Sequence, residues 1–180
     1  MKDPRIHPTF HTFPQNFSTM KPASITQLKE ELRYRTKEEL LEYCLRMARF
    51  KKENKELFTY LLFYKGDEQE YIEKVKAEIQ RGFSEINTTR YYFIKKTVRR
   101  ILKETKKFIR YSGQKETEVE LLIYFCQELQ KMKPSFKKDK VLKNTFSRQL
   151  IQIQKRMEGL HEDLQYDYRR ELEDLRKDVR

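Results

Sequence analysis

The stretch that decides the fold is Thr88–Tyr111, TTRYYFIKKTVRRILKETKKFIRY. Plotted at about 100° per residue, it separates into two faces. Tyr91, Ile94, Val98, Ile101, Leu102, Thr105, Phe108 and Ile109 fall on one face. Lys95, Lys96, Arg99, Arg100, Lys103, Lys106, Lys107 and Arg110 fall on the other. The segment holds nine Lys/Arg against one acid, Glu104, so it is +8 within a chain of net charge +12. Such a helix buries one side and turns the other to water or to an anion.

Composition outside this helix points the same way. Of 180 residues 38% are charged and 37% hydrophobic, the mix of exposed, salt-bridged helices. Four of the five prolines (Pro4, Pro8, Pro14 and Pro22) precede residue 24, and the chain has four glycines. The remainder is thus nearly free of breakers, which predicts long helices and short connections. The expected fold is all-α: an irregular bundle of about six or seven amphipathic helices with a long C-terminal helix. An extended N-terminal arm containing Pro and Phe is expected over residues 1–23, and a single helical domain over 24–180.

Helix starts are marked by Ser24 with Gln27, Thr36 with Glu39 and Asp67 with Glu70, each the spacing of a capping box. Gly113 reads as the C-cap of the basic helix, and Pro134 ends the helix that follows it. Leu57–Tyr64 is nearly apolar all round and Val119–Met132 is rich in large apolar residues, so both are expected at the centre of the core. Ile25, Leu28 and Leu32, and after them Leu40, Leu41, Cys44, Leu45 and Ala48, form apolar stripes that should also be buried.

From Leu142 the apolar positions Phe146, Leu150, Ile153, Met157, Leu160, Leu164, Tyr168, Leu172, Leu175 and Val179 recur in steps of three and four, close to a heptad seam. Unbroken, a helix over 140–180 would protrude from a compact body, at 1.5 Å per residue about 57 Å along the seam. Gly159 is where it would divide. The seam over 142–179 is read either as packing on the chain's own core or as a surface for self-association or a protein partner. A short echo, Thr36-x-x-Glu39-Leu40-Leu41-x-Tyr43 against Thr117-x-x-Glu120-Leu121-Leu122-x-Tyr124, raises the question of a duplicated hairpin.

Charge is clustered as well as high. Lys131–Lys143 carries six Lys and one acid, Asp139, and is +5. With the +8 helix this exceeds the chain's +12, so all other residues together sum to −1. A concentrated excess of this kind attracts polyanions.

Catalytic inventory is thin. GxGxxG, GxxxxGK[ST], GxSxG and HExxH are absent, and His7, His11 and His161 have no ligand partner at useful spacing. Neither an enzyme nor a metal or cofactor site is expected. Cys44 and Cys126, 82 residues apart in apolar helical runs, read as free thiols in a reducing compartment. With no apolar h-region in MKDPRIHPTF and no run long enough to span a bilayer, the expected location is the cytoplasm.

The function these features favour is non-enzymatic binding of RNA or a ribonucleoprotein, largely without sequence specificity, through charge neutralisation of phosphates. The residues expected to carry it are Lys95, Lys96, Arg99, Arg100, Lys103, Lys106, Lys107 and Arg110, extended by Lys137, Lys138 and Lys140. One ring of Tyr91–Tyr92–Phe93 suits stacking on an unpaired base. The alternative is a helical protein-interaction module that uses the C-terminal seam, or offers its basic face to an acidic partner.

Overall fold

The computed structural model describes residues 21–177; the expectations for residues 1–20, including the arm's aromatic residues and the histidines at 7 and 11, and for the seam position at 179 lie outside them. The fold is all-α, with eight α-helices among the described residues. These residues divide into two compact units, 21–46 and 47–177.

The first unit contains α1 (Ile25–Arg33) and most of α2 (Lys37–Phe50), which runs on through the division. Both starts are made by reciprocal caps. The Gln27 amide donates to Ser24 Oγ while the Ser24 amide donates to Gln27 Oε1 at 2.9 Å. The Thr36 amide likewise donates to Glu39 Oε2 at 2.8 Å, and the Glu39 amide to Thr36 Oγ1. Neither helix contains a buried residue. The expected burial of their apolar stripes is therefore corrected: Ile25, Leu28, Leu32, Leu41 and Leu45 are exposed, and Leu40, Cys44 and Ala48 are half-buried. Correct caps fix where a helix starts; they do not supply a surface for its apolar side.

The second unit is built around α6 (Lys115–Lys131), whose Val119, Leu121, Leu122, Phe125, Cys126 and Leu129 are completely enclosed. It is packed by α4 (Glu68–Ser84), α5 (Tyr91–Ser112), α7 (Lys140–Met157) and α8 (Glu162–Lys177). Asp67 caps α4 by accepting the Glu70 amide at 2.9 Å, and Gly113 ends α5 in the left-handed conformation at φ 69°. A side chain at that φ would be strained, which is why glycine stands there.

Two expectations about the core change. The segment Leu57–Tyr64 is the end of α3 (Lys52–Thr59) followed by a π-turn, Tyr60–Tyr64. Of the π-turn only Tyr60 is buried, while Leu62 and Phe63 are 71% and 72% exposed. So short a segment, lying against α4 and α5, turns one side to the core and leaves the rest of an all-round apolar run outside. Second, the Thr36 and Thr117 motifs are not equivalent. Thr117 lies inside α6, fully buried, and its hydroxyl donates to Glu68 Oε1 at 2.6 Å. Glu68 also accepts the hydroxyls of Tyr60 (2.8 Å) and Ser112. The second motif thus belongs to a largely buried polar knot rather than a cap, and the two copies of the echo do different structural work.

The C-terminal seam is divided at Gly159, giving α7 and α8 joined by residues 158–161 and packed on each other and on α6. Leu142, Phe146, Leu150, Ile153, Met157, Tyr168, Leu172 and Leu175 are all buried, so the seam closes on the chain's own core. This division also brings the helix number above the expected six or seven. Cys44 and Cys126 are free, and burial pushes the Cys126 thiol pKa up. Among the described residues no helix is long and apolar enough to cross a membrane, and no cluster of metal-ligating side chains occurs.

Candidate nucleic-acid interface

The basic face of α5 has an internal order that the sequence alone does not reveal. Tyr92, Lys96, Arg99, Lys103, Lys106 and Arg110 follow one another at steps of four and three and form one stripe. It spans about 27 Å of helix. Lys96, Arg99, Arg100, Lys103 and Arg110 are exposed, and none has an ion-pair partner among the described residues. Two members of the expected set are used differently. Lys95 Nζ lies 3.1 Å from Asp139 Oδ2. Lys107 is buried, with its ammonium between Glu56 Oε2 at 2.7 Å and Glu104 Oε2 at 2.5 Å. Burial pulls the Lys107 pKa down, but its bonds to Glu104 and Glu56 outweigh that and hold it above the ordinary lysine value. Both lysines hold the fold and have little charge to offer a ligand.

The second basic run is docked beside the first. The segment 133–138 passes the N-terminal end of α5, where the Tyr91 hydroxyl donates to the Ser135 carbonyl at 3.0 Å. Asp139 then caps α7, accepting the amides of Val141 (2.9 Å) and Leu142 (3.1 Å) while it pairs with Lys95. Lys137, Lys138 and Lys140 lie on this run, with Lys137 and Lys140 flanking the turn into α7. The same contact decides among the aromatic residues. Tyr91 is held by Ser135, whereas Tyr92, 66% exposed, and Phe93 form an edge-to-face pair with ring centroids 5.4 Å apart at the end of the cationic stripe.

Between α5 and α7 runs a groove of about 800 Å³. Arg99, Lys103, Lys106 and Arg110 line it from α5, Arg148 lines it from α7, and among the described residues no Asp or Glu lines it. Lys106 is the inner cation. Its ammonium donates to Gln152 Oε1 at 2.8 Å, and Gln152 Nε2 in turn donates to Glu118 Oε1. Glu118 is itself buried and also takes Arg156 Nε at 2.9 Å. Burial pulls the Lys106 pKa below the ordinary lysine value, a pull the Glu118 charge opposes.

The groove also contains Arg148, Gln149 and Gln152, which the sequence pattern does not bring forward. The signal that could have found Arg148 and Gln152 is the stripe Val141, Thr145, Arg148 and Gln152, spaced at four, three and four along one flank of the apolar seam of α7; Gln149 falls between stripe and seam. A seam reading fixes attention on the buried face and passes over its flank. Comparison with protein-family models, curated proteins and solved structures gives no match, so the functional reading rests on these residues.

Proposed function

We propose that the protein binds RNA or an RNA–protein particle through the α5 stripe and the α5/α7 groove, without catalysis and with little selectivity for base sequence. The observation that carries this reading is the groove itself: five cationic side chains from two helices line one cleft, and among the described residues no carboxylate lines it with them. Cations not neutralised within the fold gain most from releasing the counterions of a phosphate backbone. Tyr92 and Phe93, exposed at one end of the stripe, give an unpaired base a surface to stack on.

The test is fluorescence anisotropy of labelled single-stranded RNA, structured RNA and duplex DNA, titrated at several salt concentrations. The parent is compared with a variant in which Arg99, Lys103, Arg110 and Arg148 are all Gln. Expected is binding that weakens steeply with salt in the parent. The variant should lose slope by about 0.7 per single-strand phosphate contact removed, or about 0.9 on duplex. Weak parental binding, or a variant with unchanged slope, refutes the reading.

A second reading has its own observation. α1 and α2 are well-capped amphipathic helices with no buried residue, and helices of this length are marginal in water without an apolar partner. A protein-interaction role would therefore use the apolar sides of α1 and α2 rather than the C-terminal seam.

A further inference from the structure

Gln149 is 3% exposed and forms part of the groove wall. Its Nε2 donates to the Thr145 carbonyl at 3.0 Å, one turn back along α7. Its Oε1 is buried and has no hydrogen-bond partner, the one side-chain atom among the described residues of which this is true. Leaving a buried amide oxygen unpaired is costly, and native proteins seldom do so without a use for it. The amide nitrogen already has a backbone partner, so the atom left without one is the acceptor, Oε1.

The surroundings restrict what would donate to that oxygen. Arg99, Lys103 and Arg148 line the same groove and favour an anionic ligand. Leu102 and Val141 add apolar surface. The neighbouring carboxamide Gln152 differs in that both of its polar atoms have partners: its oxygen accepts from Lys106 and its nitrogen donates to Glu118. A ligand that combines a phosphate-like charge with a neutral hydrogen-bond donor close by would answer both features. A ribonucleotide unit does so, since its 2′-hydroxyl lies next to the 3′-phosphate; the deoxy unit has the phosphate and lacks the donor.

We propose that the α5/α7 groove is a ribose-reading site, in which the arginines and lysines hold the phosphodiester and Gln149 Oε1 accepts the 2′-hydroxyl. The proposal rests on the RNA-binding reading above and sharpens it: the protein distinguishes RNA from DNA at the sugar while remaining indifferent to the base.

The experiment compares oligouridylate, 2′-O-methyl oligouridylate and oligodeoxyuridylate of equal length, so that the base is constant and only the sugar changes. Parent and Gln149→Leu proteins are titrated with each. In the parent, RNA is expected to bind about three- to tenfold more tightly than either analogue, the range of one net hydrogen bond. In Gln149→Leu the three affinities converge on that of the deoxy strand. Because the sugar is changed on the ligand, the parent titrations discriminate even where the variant folds poorly. Equal parental affinity for RNA and the analogues, with binding still dependent on Arg99 and Arg148, overturns ribose reading and leaves the RNA-binding reading standing. A Gln149→Leu protein that keeps the full RNA preference also overturns it. If none of the strands binds, both readings fall.

Discussion

Asp139 and Lys95 join the two basic segments of the chain: the carboxylate that caps α7 lies 3.1 Å from an ammonium on α5. One acid, the sole one in Lys131–Lys143, thus sets the start of a helix and the position of the cationic run before it. Burial pushes its pKa up, but the Leu142 amide, the Lys95 ammonium and the Val141 amide outweigh this and hold the carboxyl below the ordinary range. A depressed folded-state pKa stabilises the protein above the unfolded value, about 3.9, and that contribution is lost as pH falls through the folded value. Asp139→Ala should cost about 1 kcal/mol at neutral pH through the lost cap. The gap between parent and variant in urea midpoint should close on acidification below about pH 4. A gap that stays constant down to the acid limit would show that the carboxylate charge is not what stabilises this corner.

Lys107 and Lys103 lie four residues apart on α5 and should behave in opposite ways. Lys107 is enclosed with Glu56 and Glu104, and Glu56 also accepts the Tyr111 hydroxyl at 2.9 Å. Removing the ammonium leaves the partly buried Glu56 with only the exposed Lys52, 3.6 Å away, so Lys107→Ala is expected to cost about 2 kcal/mol, below the range for a fully buried pair. Lys103, exposed and unpaired, should change stability by no more than about 0.5 kcal/mol on going to Ala. RNA affinity should show the reverse order, with Lys103→Ala weakening it and Lys107→Met leaving it nearly unchanged. Denaturation and anisotropy on the same preparations test both halves, and a loss of affinity confined to the Lys107 variant would reverse the assignment.

Leu41 and Leu122 show where the sequence is legible and where it is not. They occupy the same place in the two echoed motifs, yet Leu41 is 60% exposed and Leu122 is fully enclosed. Local patterns are enough for the helices, the caps at Ser24, Thr36 and Asp67, the stop at Gly113 and the break at Gly159, because each of these is decided within a few residues. Which apolar stripe finds a partner is decided by elements far away in the chain, and that is where the patterns of Leu57–Tyr64, α1 and α2 mislead. The basic face is legible for the same local reason. Its division into cations facing the groove and cations tied to Glu56 and Asp139 is not. Leu122→Ala should cost about 2–5 kcal/mol, whereas Leu41→Ala should fall within about 0.5 kcal/mol. Comparable losses at the two positions would mean that the α2 stripe is packed after all.

Gly82 offers a test in which the sign of the effect carries the information. It lies in the last turn of α4, where a Cβ would come within 2.9 Å of Ile101 Cγ1 and 3.2 Å of its Cδ1. Ile101 is buried on α5, and a β-branched side chain on a helix has little freedom to turn away. In an open helix Gly→Ala gains about 1 kcal/mol of propensity. Here overpacking works against that gain, at about 1–3 kcal/mol, so Gly82→Ala should be destabilising by about 1 kcal/mol. In an Ile101→Ala background the obstruction is gone and the same substitution should become stabilising. A four-way comparison of parent, both single variants and the double variant in urea measures this reversal. If Gly82→Ala stabilises the parent protein, α4 and α5 are not in the close contact on which the position of the cationic stripe depends.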